Sequence, residues 1–188
     1  MSSAAVQRLF VAVIPSDDAL EHLDVVAEPM RIARPDLRWV APQRLHVTLA
    51  FMPQVDERVA DELPDVLAEA VAGTPPLRLS LAGAGRFDER VLWTGLDGDT
   101  ERLSSLADRV VRTMAAAGAS PQRQTFRPHL TIARRSGHLD AQLGGLAAQL
   151  VEYAGPLWQA DEVHLIRSIL GRSVRHETVA TAALTAAT

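Results

Sequence analysis

The chain contains the same seven-residue pattern twice, and this repeat constrains its fold more than any other feature. Residues 44–50 read RLHVTLA and residues 127–133 read RPHLTIA, so both fit R-x-H-x-T-x-A. His46 and His129 are 83 residues apart, and the two threonines have the same spacing, so the copies align without a gap. Such a repeat predicts two related halves. A pseudo-two-fold axis between the halves would bring the two patterns together across a central cleft.

Each copy is expected to form a β-strand with one apolar and one polar face, because successive side chains of a strand point in opposite directions. The apolar faces consist of Leu45, Val47 and Leu49 in the first copy and Leu130 and Ile132 in the second. The polar faces consist of Arg44, His46, Thr48 and Ala50 in the first copy and Arg127, His129, Thr131 and Ala133 in the second. We expect the apolar faces to cover a core and the polar faces to bind an anion.

The rest of the chain alternates β-rich runs with helical patterns. Strands are predicted over 8–14, 37–40, 44–51, 77–81, 91–96, 127–133, 162–170 and 174–184. Helices are predicted over 19–32, 59–70 and 103–114, the last with an apolar stripe from Leu103 to Met114, and an Ala/Leu-rich segment spans about 139–151. Ser16 is placed to cap the first helix, and Pro64 should kink the second or mark its start. Short connections favour antiparallel pairing. The prediction is one bilobal α+β domain over 1–188, with antiparallel sheets related by a pseudo-two-fold axis and helices on the outer faces.

Composition narrows the classes of function. The chain has no cysteine, so a zinc-thiolate site and a thiol nucleophile are excluded, and a nucleophile must be oxygen. The net charge of −4 argues against an extended non-specific contact with a polyanion, so a nucleic acid would be held locally, at an end. No apolar run approaches the ~18 residues that span a bilayer. The start of the chain lacks the features of an export signal, and we expect a soluble, cytoplasmic protein.

The polar rows have the groups that metal-independent phosphodiester hydrolysis requires. One imidazole can act as base and the other as acid near neutral pH, because the ordinary histidine pKa is about 6.5. Thr48 and Thr131 can donate hydrogen bonds to phosphate oxygens. Arginine adds charge and a forked geometry. Arg44 and Arg127 lie on the correct face by parity, whereas Arg134 has the opposite parity and reaches the site only if its strand ends or bulges after Ala133.

These motifs resemble the paired H-x-T-x motifs of the 2H phosphoesterase superfamily, and most of all those of the RNA 2',3'-cyclic phosphodiesterases, once described as 2'-5' RNA ligases. The similarity extends to the segments RLFVAVIP, RWVAPQRLHVTLAFM, VLWTGL, FRPHLTIAR and VHLIRSIL. It implies a bilobal α+β fold with both motifs in a central cleft, no cofactor, no metal, and a 2'-phosphate product. It also implies His46 as proton donor and His129 as proton acceptor, which the local sequence does not distinguish. Where the resemblance leads us to expect a tyrosine, the chain has Arg175-His176.

Several residues have simpler interpretations. The two histidines would be surface residues of strands if the motif were not duplicated, and the threonines are also good β-formers. No role is assigned to His22, His138, His164 or His176, which follow no repeat and lack metal-ligand spacing, and each is predicted to be a surface or partly packed residue. The aromatic residues Trp39, Trp93 and Phe126 can stack on a nucleobase but are predicted to belong to the core. Gly83-Ala84-Gly85 is predicted to form a bulge or turn.

Three functions follow from this reading. The leading hypothesis is hydrolysis of 2',3'-cyclic phosphates at RNA ends or in small cyclic nucleotides by a monomer, and the same acid and base in reverse would give 2'-5' ligation. The second is another 2H activity, on 2'-5' oligonucleotides or small cyclic nucleotides. The third is a non-catalytic module that binds RNA ends and uses the histidines only as hydrogen-bond donors.

Overall fold

A computed structural model describes residues 6–122, 124–135, 143–171 and 174–186. The strands are β1 (Val6–Val13), β2 (Leu37–Trp39), β3 (Val47–Asp56), β4 (Leu77–Phe87), β5 (Val91–Gly98), β6 (His129–Arg135), β7 (Ala154–Ala160), β8 (Glu162–Ile169) and β9 (Arg175–Ala183). The helices are α1 (Asp17–Ala33), α2 (Glu57–Val71), α3 (Thr100–Ala116) and α4 (Leu143–Gln149), and a short 3-10 helix covers Pro42–Arg44. Among these helices, none combines the length and the apolar character that crossing a membrane requires.

The strands form an antiparallel sheet whose order reflects the internal repeat. The order is β7-β4-β5-β6-β3-β1-β8-β9, and β2 pairs with the second half of β6. The two halves meet where β3 and β6 pair at Val47 and Leu130, which occupy the same place in the two copies of the motif. A pseudo-two-fold axis therefore passes close to this pair. The predicted α+β duplication is confirmed.

The helices cover one face of the sheet and cross between the halves. Helix α1 follows β1 but packs against β7 of the other half, while α3 follows β5 but packs against β3 and α2. Helix α2 contacts β1, β3, β8 and β9, and α4 contacts β4 and β5. This arrangement leaves the opposite face of the motif strands open. The assignment of the whole range 1–188 to one bilobal domain stays a prediction.

Local sequence signals account for most element boundaries. The Ser16 side chain accepts a hydrogen bond from the Ala19 amide at 3.3 Å, and Asp17 and Asp18 occupy the first turn of α1, so the predicted cap is confirmed. Helix α3 buries the predicted apolar stripe from Leu103 to Met114. Helix α2 begins at Glu57, so the alternative that Pro64 marks its start is wrong.

Two predictions about strands need correction. The strand predicted over 44–51 begins only at Val47, because Pro42 opens a 3-10 helix that ends at Arg44. Strand β7 was not predicted, since Gly155 and Pro156 interrupt its pattern, and pairing with β4 holds it at the sheet edge. Helix α4 begins at Leu143 and lies in the Ala/Leu-rich segment, whose first residues, 139–142, are outside the described residues.

The glycine pair in β4 has the predicted irregularity. The pairing of β4 with β5 shifts register between Ala82 and Ala84, and Gly83 has φ +62. A bulge at this point is confirmed, and glycine fits it because a positive φ carries no steric cost without a Cβ.

Candidate active site

His46 lies just before β3, with its imidazole held on two sides. Its Nδ1–H donates to the carbonyl oxygen of Arg44 at 2.7 Å, because a carbonyl can only accept. The ring stacks on Phe10 of β1, with centroids 4.6 Å apart and planes inclined by 27°. This hydrogen bond fixes the neutral tautomer with a bare Nε2, which is the nitrogen left to exchange a proton.

His129, the first residue of β6, repeats this arrangement. Its Nδ1–H donates to the carbonyl oxygen of Arg127 at 2.7 Å. Its ring meets the edge of Phe87 at 4.8 Å and lies 6.3 Å from the Trp93 ring. Both histidines are thus oriented by the carbonyl two residues earlier, and both keep Nε2 available for proton transfer.

The pairing of the two motif strands brings the polar rows together. Antiparallel pairing of Val47 with Leu130 sets His46 opposite Thr131 and Thr48 opposite His129. All four side chains are partly buried. Each histidine therefore faces the threonine of the other copy across the two strands.

A bulge follows the threonine in both copies and changes the predicted faces. In β3 the pairing with β1 skips Leu49, and in β6 the pairing with β5 skips Ile132. Leu49 and Ala50 are consecutive buried residues, as are Ile132 and Ala133. The prediction that the two alanines lie on the polar face is wrong, because the extra residue reverses the alternation.

The same bulge places Arg134 on the face of His129 and Thr131. Its positive charge lowers the pKa of both His46 and His129. The corresponding position of the first copy is Phe51, again 83 residues earlier. The cleft is therefore asymmetric, with a cation beyond one threonine and an aromatic ring beyond the other.

Burial lowers the pKa of His46 to about 4. The hydrogen bond to Arg44 opposes this effect, and the positive charges of His176, Arg134 and His129 add to it. Burial also lowers the pKa of His129, with further lowering by the charges of Arg134 and Arg127. Both imidazoles are consequently neutral at pH 7 in the free protein.

The backbone carbonyls of Arg44 and Arg127 accept the hydrogen bonds from His46 and His129, but the two arginine side chains have different surroundings. Arg44 is partly buried, and its charge lowers the pKa of His176. Arg127 is exposed, with its guanidinium 5.7 Å from the Phe87 ring centroid. Binding of phosphate by these two arginines stays a prediction.

His176 of β9 lies at the site, although no role was predicted for it from the sequence. Its ring contacts the His46 ring edge-on at 5.4 Å and the Phe10 ring at 5.0 Å. Burial and the charges of Arg44 and Arg8 lower its pKa. One sequence signal could have identified His176. It stands where the resemblance leads us to expect a tyrosine, and a position that holds an aromatic ring can also hold an imidazole.

The remaining histidines divide between exposed and partly packed positions. His22 is exposed on α1 with Nδ1 at 3.2 Å from the Tyr153 hydroxyl, and His164 of β8 contacts the Thr181 hydroxyl at 3.2 Å. His138 lies outside the described residues. These positions agree with the prediction that His22 and His164 are surface or partly packed residues.

The three aromatic residues assigned to the core behave differently. Trp39 and Phe126 are partly buried and pack against the core cluster, as predicted. For Trp93 the prediction is wrong, because it lies on the cleft face against Phe87 and His129. A Cβ at Gly85 would come within 2.3 Å of the Trp93 ring, so only glycine lets the indole lie across β4.

A cavity of 990 Å³ opens beside the paired motifs. Its walls include Thr48, Phe51, Phe87, Phe126 and His129. It is large enough for a nucleotide-sized ligand, because small-molecule sites range from about 300 to 1,000 Å³. Of the four motif side chains, Thr48 and His129 line this cavity, one from each copy.

The fold and the site define a class of protein: an α+β duplication in which two H-x-T-x motifs face each other across a cleft. The family model described as the 2'-5' RNA ligase superfamily matches residues 15–172. The chain belongs to this superfamily.

Individual relatives support the assignment along most of the chain. An RNA 2',3'-cyclic phosphodiesterase of Geobacillus stearothermophilus is 28% identical over 91% of this chain, and one of Methanothermobacter thermautotrophicus is 29% identical over 87%. The chain spans 55% of the first relative and 90% of the second. Among solved structures, E. coli LigT complexed with phosphate aligns with a TM-score of 0.71 at 25% identity, covering 97% of this chain and 99% of LigT.

Proposed function

We propose that this protein hydrolyses 2',3'-cyclic phosphates at RNA ends or in nucleotides to 2'-phosphomonoesters, without a metal ion. The observation that carries the proposal is the register of β3 and β6, which sets each histidine opposite the other copy's threonine. Two relatives named RNA 2',3'-cyclic phosphodiesterase and a LigT structure with phosphate support the same substrate class.

In this proposal His129 is the base and His46 the acid. His129 Nε2 takes a proton from water as the oxygen attacks phosphorus, and the bond from phosphorus to the ribose 3'-oxygen breaks. His46 gives its Nε2 proton to that leaving oxygen, so the product keeps the phosphate on the 2'-oxygen. The Thr48 and Thr131 hydroxyls donate to the non-bridging oxygens, where negative charge accumulates in the transition state.

Substrate binding supplies the protonation state that the reaction needs. Both imidazoles are neutral at pH 7 in the free protein, because burial and nearby cations lower their pKa values. A phosphodiester carries a negative charge and raises the pKa of an adjacent histidine. We therefore propose that the catalytic proton is taken up with the substrate.

This scheme predicts different pH optima for kcat/KM and kcat. The active form has one histidine protonated and one neutral, and its population is largest midway between the two apparent pKa values of the pair. Because both free-protein pKa values lie below 6.5, kcat/KM should be largest below pH 6.5. The maximum of kcat should lie at higher pH, since the bound phosphate raises both values. Initial rates measured from pH 4 to 9 test this. A kcat/KM maximum above pH 7 would contradict it.

The activity itself is tested with nucleoside 2',3'-cyclic phosphates in excess EDTA. We expect turnover to be unchanged by the chelator and the product to carry a 2'-phosphate, identified by chromatography against 2'- and 3'-monophosphate standards. Loss of activity in EDTA would indicate a metal-dependent mechanism. Binding of the cyclic phosphate without turnover would favour the non-catalytic RNA-end module, and hydrolysis only of 2'-5' oligonucleotides would favour the other 2H activity.

Three further statements stay predictions: a cytoplasmic location, a monomeric state and reverse 2'-5' ligation. Ligation is tested by incubating an RNA bearing a 2',3'-cyclic phosphate with a second RNA bearing a 5'-hydroxyl. A product resistant to nucleases specific for 3'-5' linkages is the expected result.

A further inference from the structure

Three arginines lie side by side at one edge of the cleft. Arg38 of β2 is the direct cross-strand partner of Arg134 of β6, so both side chains project from the same face. Arg8 of β1 lies on that face as well, because its neighbour Leu9 is completely buried in the core on the opposite side. The charges of Arg38 and Arg8 both act on Arg134, whose pKa is lowered first by burial and then by these two neighbours.

This arrangement is unfavourable in the absence of an anion. Like charges directly opposite each other on paired strands are destabilising. Within the described residues, no ion pair between these three arginines and a carboxylate is formed. The chain as a whole carries a net charge of −4, so the local excess of positive charge does not follow from composition. Mutual repulsion maintained beside a reactive site indicates a binding role.

Aromatic packing fixes one member of the cluster. The Arg8 guanidinium lies 4.4 Å from the centroid of the Phe51 ring, and Phe51 in turn pairs with Phe10 across β1 and β3. A cation over an aromatic ring is attracted to it and loses conformational freedom. Arg8 is thus oriented before any ligand arrives, which reduces the entropy lost on binding.

We propose that Arg8, Arg38 and Arg134 form a second phosphate subsite, which binds the internal phosphodiester next to the reacting cyclic phosphate of an RNA end. The inference rests on the proposed function. Arg134 connects the two positions, since it lies on the same face of β6 as His129 and Thr131 and is paired with Arg38. The guanidinium fork matches the oxygen geometry of phosphate. The consequence is a preference for oligonucleotide ends over mononucleotides.

Three substrates that differ in their internal linkage test this subsite. The first is cytidine 2',3'-cyclic phosphate, and the second is the dinucleotide CpC with the same cyclic end. The third is that dinucleotide with a neutral methylphosphonate as its internal linkage. Wild-type protein should have about 10-fold higher kcat/KM for the charged dinucleotide than for the other two, because only the charged linkage can accept charge-assisted hydrogen bonds from the arginines, and solvent weakens exposed ones.

Substitutions complete the comparison. Arg38→Gln and Arg8→Gln should each remove most of this preference, with kcat/KM for the mononucleotide within about two-fold of wild type. Arg38→Lys should retain part of it, and Arg58→Gln, at an exposed position on α2 on the helix-covered side, serves as the matched control. In wild type, the slope of log kcat/KM against log salt should be steeper for the charged dinucleotide by about 0.7, the value for one contacted phosphate in a single strand.

Two results would overturn the subsite. One is equal kcat/KM for the charged and methylphosphonate dinucleotides, and the other is an equal loss on mononucleotide and dinucleotide in Arg38→Gln. Absence of hydrolysis of all three substrates would refute the proposed function instead. The subsite is then tested by calorimetric titration with a CpC dinucleotide ending in a 2'-phosphate, where about 10-fold weaker binding by Arg38→Gln supports it and unchanged binding overturns it.

Discussion

Replacement of either His46 or His129 by alanine should lower kcat for nucleoside 2',3'-cyclic phosphates by about 10²- to 10⁴-fold. This loss corresponds to an increase of about 3 to 5 kcal/mol in the activation free energy. In the proposed mechanism each Nε2 transfers a different proton, and in each ring Nδ1 is already hydrogen-bonded to a backbone carbonyl at 2.7 Å. Neither histidine can therefore substitute for the other. Stopped-time assays with chromatographic separation of substrate and product measure the effect.

The design includes a double variant and a histidine control. Combining both substitutions should cost little more than the larger single loss, because the acid and base act as a unit. His22→Gln, at an exposed position on α1, should keep kcat within about two-fold of wild type. A near-normal rate in either His46→Ala or His129→Ala, with an unchanged melting temperature, would refute the paired role.

The second large effect is expected from the threonine hydroxyls. Thr48→Val and Thr131→Val keep the side-chain shape but remove the donor, and each should lower kcat by about 10²-fold, as loss of one transition-state hydrogen bond does elsewhere. Thr48→Ser and Thr131→Ser keep the hydroxyl and should retain most of the activity. Steady-state kinetics on the four variants gives kcat and KM separately.

These variants also distinguish catalysis from β-propensity. If the threonines served only as strand formers, valine would be tolerated and serine would be harmful, because valine is the better β-former. The matched control is Thr113→Val on α3, where the hydroxyl donates only to the Arg109 carbonyl at 3.0 Å. Full activity of both valine variants would remove the threonines from the mechanism.

The sequence predicts those features of the site that depend on residues close together in the chain. The duplicated motif predicted both histidines and both threonines, because alternation along a strand is a local property. The alternation assigned Ala50 and Ala133 to the wrong face, because a bulge adds one residue to each strand where it pairs with its neighbour. The bulge after Thr131 also meets the condition stated for Arg134, because it places this arginine on the same face as His129.

Contacts between segments far apart in the chain could not be predicted from local sequence patterns. His176 meets His46 only because β9 pairs with β8 and β8 with β1, across a sheet assembled from both ends of the chain. Trp93 was predicted to belong to the core, whereas Gly85 on the paired strand leaves room for its indole on the cleft face. The cluster of Arg8, Arg38 and Arg134 likewise joins three strands that are separate in sequence.

The sequence by itself determined the duplication and the fold class, and it singled out the side chains of the proposed acid/base chemistry, because the repeat encodes which side chains occur and how they alternate. Only the tertiary structure decided which of the other side chains share the cleft and how easily the histidines are protonated. The physical reason is that burial, strand register and the sum of nearby charges depend on residues far apart in the chain. Those quantities arise when the strands pair and do not belong to any single segment.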